Sequence, residues 1–121
     1  MKTILIADDE SALLELYDEE FRRAGYNVKT AQGASDAVAI VESHPIDCVV
    51  MDIRMPGEDG LEAVSKIRRL NRELPIVLNT AYDSYKNDFH TWLADAYVVK
   101  SPDVSELIET VDRVLGGDIV S

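Results

Sequence analysis

Five short runs of β-branched and apolar residues alternate with stretches whose apolar residues recur at helical spacing, and this alternation constrains the fold more than any other feature. The runs cover residues 3–7, 27–31, 47–51, 75–79 and 96–99. Leu13, Tyr17, Phe21 and Ala24 define one face of a first helix, and Val104, Leu107, Ile108, Val111 and Leu115 one face of a last. Strict strand–helix alternation requires right-handed crossovers, hence a doubly wound parallel α/β sheet of five strands with helices on both faces. The nearly continuous apolar first and third strands read as covered on both sides. Five helices are expected. Gly25 ends the first, Ser43 to Pro45 the second, and Gly116 with Gly117 the fifth, which Asp103 helps to start. The third is expected over residues 60–70, with its start blurred by the flexibility of Gly57 and Gly60.

With 121 residues, 46% of them hydrophobic, the chain can bury one core, and one domain over 1–121 is expected, with no output domain in the chain. No repeat, low-complexity tract or Pro/Gly/Ser-rich linker interrupts it. Twelve basic against 23 acidic residues leave a formal charge of -11, which repels nucleic acid and anionic membrane, so direct contact with either is not expected. Cys48 is the only cysteine, so no internal disulfide or thiolate metal cluster can form, and a cytoplasmic location is expected. The first apolar run is too short and too soon followed by acids to be a signal peptide or a membrane span.

In doubly wound sheets the ligand site lies beyond the carboxyl ends of the strands. Asp8 and Asp9 follow the first strand and Asp52 the third. If those strands are neighbours, three carboxylates converge, and two unit charges about 4 Å apart repel by roughly 4 kcal/mol at an effective dielectric near 20. A hard divalent cation relieves this best, and magnesium needs only one or two carboxylates, a carbonyl and other oxygens. The plainer alternative makes Asp8 and Asp9 helix-capping residues and Asp52 an ordinary loop residue. Thr80 after the fourth strand and Lys100 after the fifth fall at the same edge, where a hydroxyl and an ammonium can bind phosphoryl oxygens. Taken singly, the first reads as a turn residue and the second as a solvated lysine; their shared edge argues otherwise.

Ile4-Leu5-Ile6-Ala7-Asp8-Asp9-Glu10, Val49 through Gly57, Asn79-Thr80-Ala81 and Ala94 through Lys100 resemble, in order and spacing, the receiver domain of two-component response regulators over essentially the whole chain. The resemblance implies a flavodoxin-like (βα)5 sheet of order 2-1-3-4-5. It implies that Asp52 is the phosphoacceptor, that Asp9 and Asp52 hold Mg2+ together with the Arg54 carbonyl, and that Asp8 acts through water. Thr80 corresponds to the switch hydroxyl, Tyr97 to the aromatic that reports its movement, and Lys100 to the lysine paired with the phosphoryl group. The implied partner is a sensor histidine kinase or a histidine phosphotransfer protein. The implied output is protein–protein signalling through the fourth helix, fifth strand and fifth helix, a face that also offers a route to a homodimer. Such a protein catalyses only its own phosphorylation and dephosphorylation and is not an enzyme acting on a separate substrate. An ionised carboxylate needs no general base to act as nucleophile, so the lack of a Ser-His or Cys-His pair is no obstacle.

Some residues depart from the family pattern. Lys100 is followed by Ser101 and only then by Pro102, Leu93 stands where a helix-ending glycine is usual, and Asn79 places a polar group in a strand. Tyr82, Tyr85, Phe89 and Trp92 fall at helical steps, a stripe expected to pack on the sheet. His44 and His90 are expected at the surface and are not phosphoryl donors. A flavin or nucleotide module of the same fold would want a glycine-rich loop after the first strand, which is absent. An aspartyl-phosphate phosphohydrolase would want an acid where Arg54 stands. A receiver-like module that binds without phosphorylation would not need all five polar residues.

Overall fold

The computed structural model describes residues 1–81 and 93–116. Five strands, β1 (Thr3–Ala7), β2 (Asn27–Ala31), β3 (Cys48–Met51), β4 (Ile76–Thr80) and β5 (Ala96–Val99), form one sheet. All pairings are parallel, and the spatial order is β2-β1-β3-β4-β5. The winding therefore reverses between β1 and β3, and their paired ends, Ala7 beside Met51, place Asp8 and Asp52 side by side. Three strand boundaries differ from expectation by one residue, the start of β3 and both ends of β4, which begins after Pro75. Asp47 lies outside β3, its carboxylate accepting the Thr3 N–H at 2.7 Å, and Thr80 is the last residue of β4, opposite Val99.

The pleat sorts side chains between two layers. Leu5, Ala7, Val49, Met51, Ile76 and Leu78 pack under α2 (Ala34–Ser43) and α3 (Gly60–Leu70). Ile4, Ile6, Val50, Val77 and Val98 pack under α1 (Ser11–Arg23) and α4 (Ser105–Val114) through Leu14, Tyr17, Phe21, Leu107 and Val111. The helix α4 is the fifth of the five expected from sequence. The expected fourth, with Tyr82, Tyr85, His90 and the rest of the aromatic stripe, lies outside the described residues, as does Gly117.

Local chemistry places the ends. After α1, Gly25 takes φ +102, the Gly25 N–H reaches the Arg22 carbonyl at 3.0 Å and the Tyr26 N–H the Phe21 carbonyl at 3.1 Å, a Schellman closure. Phe21 and Tyr26 rings, 5.9 Å apart, supply the apolar contact that accompanies it. The helix α3 starts at Gly60 as expected, capped by Asp59, which accepts the Leu61 N–H at 2.8 Å. At the opposite edge of the sheet Arg68 holds the return to β5. It donates to the Leu93 carbonyl and to Asp95 at 2.7 Å each and also reaches the Leu74 carbonyl, while Asp95 accepts the Ile76 N–H at 2.8 Å. No cis peptide bond occurs among the described residues, so the bonds flanking Ser101 are trans. No described helix is long and apolar enough to cross a membrane.

A Cβ at Gly25 would meet nothing within 4 Å, so Gly25→Ala costs only the left-handed backbone, about 1 kcal/mol. Thermal unfolding should show a fall in Tm of several degrees, with the site chemistry unchanged.

Candidate functional site

The sheet's carboxyl edge brings together the residues marked in the sequence. Asp8 and Asp52 are buried at 1% and 5% exposure, Asp9 is partly exposed, and one carboxylate oxygen from each lies within 4.8 Å of the others. Backbone bonds fix two of these positions: the Asp8 N–H donates to the Ala31 carbonyl and the Asp52 N–H to the Ala7 carbonyl, each at 3.0 Å. Asp8 also accepts the Glu10 N–H at 2.9 Å, so it shapes the entry to α1 while facing the site.

Lys100 is no solvated lysine. Its ammonium donates to Asp8 Oδ2 at 2.7 Å and to Asp52 Oδ2 at 3.1 Å, with Glu10 at 3.8 Å. Its N–H is anchored on the Thr80 carbonyl at 2.7 Å, so the ends of β4 and β5 hold each other. Thr80 itself is fully buried. Tyr97 pairs with Leu78 across the strands and packs, partly buried, against the α2–α3 layer. Arg54 is exposed, and its backbone N–H faces Asp52 Oδ1 at 3.4 Å.

The charges are set against one another. Burial pushes the Asp52 carboxyl above the ordinary aspartate range and Asp8 adds to the push, while Lys100 and the Arg54 N–H pull it down without cancelling it. Burial alone would lower the Lys100 ammonium, but hydrogen bonds and attraction from Asp8 and Asp52 outweigh this and hold it above the usual lysine range. One ammonium therefore faces two buried carboxylates with a third nearby, and negative charge is in excess. The donor set, carboxylate and carbonyl oxygens without nitrogen or sulfur, fits a hard divalent cation.

The loop after Asp52 is more rigid than its glycines suggest. Arg54–Met55 pairs antiparallel with Glu58–Asp59, and Gly57 at φ +72 turns the chain after Pro56. Gly60 is not a flexible residue. Its N–H donates to the Ile53 carbonyl at 2.9 Å, and a Cβ there would strike the Asp52 carbonyl oxygen and lie 2.9 Å from Ile53 Cα. Only a glycine lets α3 press on the peptide that carries Asp52. The spacing of eight residues between Asp52 and Gly60 was available as a signal, but nothing in it distinguishes close packing from flexibility. Asn79 is the other residue whose place sequence left open: it is buried, and its amide donates to Tyr17 Oη at 3.1 Å.

A doubly wound sheet with an acidic triad and a lysine at its switch point defines a class of α/β domains whose charged site lies at the carboxyl edge of the sheet. The model of the response regulator receiver domain matches residues 4–112, and the chain belongs to that family. It is similar to the probable transcriptional regulatory protein TcrX of Mycobacterium tuberculosis, with 34% identity over 88% of this chain and 46% of that one. Among solved structures it resembles the response regulator TrrA of Thermotoga maritima in complex with Mg2+-BeF, with TM-score 0.92, 42% identity, 94% of this chain and 99% of that one. TrrA bound to the histidine kinase ThkA matches with TM-score 0.90 and 42% identity, over 96% and 100% of the two chains. The chain spans less than half the length of the curated relatives it matches.

Two outcomes test this geometry. Because the folded state holds the Asp52 proton more tightly than the unfolded chain, ionised Asp52 destabilises the cation-free protein, increasingly as pH rises through its folded value. Asp52→Asn should therefore raise Tm at neutral pH without divalent cation and should flatten the rise in Tm that Mg2+ gives the parent protein, as followed by scanning calorimetry. Gly60→Ala should lower Tm by the equivalent of about 1–3 kcal/mol and weaken Mg2+ binding measured by titration calorimetry, because the Asp52 peptide must shift.

Proposed function

We propose that this chain is a magnesium-dependent phosphoryl acceptor that takes its phosphoryl group on Asp52 from a phosphohistidine of a sensor kinase or phosphotransfer protein. The observation that carries the reading is the Lys100 ammonium seated on both Asp8 and Asp52 beside Asp9, which leaves a buried nucleophile next to a cation and a pocket of hard oxygens. The partner is supported by the histidine kinase that binds the similar protein TrrA, and the metal by the Mg2+-BeF complex of TrrA.

In this reading Asp9, Asp52 and the Arg54 carbonyl hold Mg2+, with Asp8 acting through water. When bound there, Mg2+ would supply neutralisation of charge on the phosphoryl oxygens. Asp52 attacks phosphorus, an O–P bond forms as the donor's P–N bond breaks, and the bond's electron pair returns to the donor imidazole. The product on this chain is an acyl phosphate. Lys100 releases Asp52 as that oxygen becomes esterified and turns a donor to the phosphoryl group while keeping Asp8. Thr80, at the end of β4, is placed to supply a hydroxyl, and its shift gives Tyr97 room to turn, altering the face that includes β5 and α4. The chain acts as a regulatory domain of the cytoplasm and not as an enzyme on a separate substrate.

Incubation with Mg2+ and acetyl phosphate, followed by intact-mass measurement, should show the gain of one phosphoryl group, absent in Asp52→Asn and slowed about 10–100-fold in Lys100→Ala. No gain with acetyl phosphate or a phosphorylated kinase would refute the assignment.

A further inference from the structure

Asn79 and Tyr17 place a polar pair inside the otherwise apolar layer between the sheet and helices α1 and α4. Each is 3% exposed, and the Asn79 amide donates to Tyr17 Oη at 3.1 Å. Tyr17 shares this layer with Ile6, Val50, Val77 and Val98. Stability does not explain the pair. A buried hydrogen bond contributes about 1 kcal/mol net, and exchanging both partners for apolar groups of like shape is nearly neutral.

Its position relative to the site does explain it. Asn79 immediately precedes Thr80, whose carbonyl anchors the Lys100 N–H. Tyr17 sits on α1, the helix that begins at Ser11, just after Asp8 and Asp9. The hydrogen bond therefore ties the element leaving the acidic pair to the strand that ends in Thr80, from behind the site. A small cleft of about 10 Å³, with room for about one water, borders the pair and is also lined by Val99, Ser101 and Val104. A displacement of Asn79 is transmitted to its neighbours. The charges of Lys100, Asp8 and Asp52 also reach the Tyr17 hydroxyl, whose proton is held above the ordinary tyrosine range chiefly by burial.

We infer that Tyr17 and Asn79 are a positioning pair for phosphoryl transfer: their hydrogen bond fixes the Thr80 end of β4 against α1 and so sets how Thr80 and Lys100 meet the phosphoryl oxygens. The inference rests on the reading of Asp52 as phosphoacceptor. Because the cation ligands come from β1, β3 and the loop after β3, loss of the pair changes transfer and leaves cation affinity intact. Neither residue touches the reacting atoms; both act through Thr80 and Lys100.

The test compares the parent chain with Tyr17→Phe, Asn79→Leu and the double variant. Tyr17→Phe strands a buried amide and should lower Tm by several degrees, whereas the double variant, an apolar pair of similar shape, should return Tm close to the parent. The rate of phosphorylation by acetyl phosphate, followed by intact mass, should fall about tenfold in Tyr17→Phe and stay low in the double variant, the scale expected of a misplacement well under 1 Å. Mg2+ affinity by titration calorimetry should stay within about twofold throughout. A double variant that recovers both Tm and rate overturns the inference, because the pair is then packing alone. A rate that falls in step with Mg2+ affinity also overturns it, since the pair then acts on the cation ligands. A parent chain that takes up no phosphoryl group removes the phosphoacceptor reading itself, and the positioning role with it.

Discussion

The contact on which the rest depends is the Lys100 ammonium held between Asp8 and Asp52. Three acidic side chains at one sheet edge would oppose folding, since each close pair costs roughly 4 kcal/mol at an intermediate dielectric. The lysine is 100 residues along the chain and comes from the edge strand, so it reaches the acids only if β3, β4 and β5 pair in their observed register. The same ion cluster that threatens the fold therefore also rewards its correct topology. The compensation is incomplete, because one positive charge faces two buried negative ones, and the remaining imbalance is what makes the edge receptive to a cation.

Rigidity around Asp52 comes from backbone chemistry and not from its side chain. The N–H of Asp52 is held by β1, its own peptide is pressed by Gly60, and the loop beyond it is folded back by the short ladder and the Asp59 cap. A nucleophile fixed this way loses little entropy on reacting, and the cost of fixing it has been met during folding. The Thr80 carbonyl that anchors Lys100 extends the same logic to β4 and β5. The backbones of Asp52, Thr80 and Lys100 are held relative to one another because they are directly hydrogen-bonded or adjacent in the sheet.

Which parts of this were readable in the sequence follows from the range of each interaction. The five strands and the start of α3 were legible because periodicity and capping are local, and the boundary errors at Asp47, Pro75 and Thr80 are one residue each. The convergence of Asp8, Asp9, Asp52, Thr80 and Lys100 was legible because strand ends at a switch point share an edge. Gly60 was misread as flexible: a glycine needed for space and one needed for backbone freedom look the same until the neighbouring Asp52 carbonyl is placed. Arg68 went unnoticed for a similar reason, since its partners at Leu74, Leu93 and Asp95 are scattered along the chain and two of them are backbone oxygens. Asn79 was recognised as out of place, but its partner sits 62 residues away on another element and no spacing rule connects them.

The two faces of the sheet bear on the site differently. On the α2–α3 side β5 presents Tyr97, an aromatic that is only partly buried. On the α1–α4 side β4 presents Asn79, buried and hydrogen-bonded to Tyr17. Thr80 lies at the junction of these two environments. A doubly charged group arriving at Asp52 would draw Lys100 and Thr80 toward itself, and the resulting strain must relax where packing gives way. The α1–α4 side is tied by the Asn79–Tyr17 hydrogen bond and the side that carries Tyr97 is only partly buried, so under the proposed function the latter would be the one to give. In the proposed function the direction of the response would then follow from which side of β4 is tied by a buried hydrogen bond, with the charge at Asp52 supplying the force.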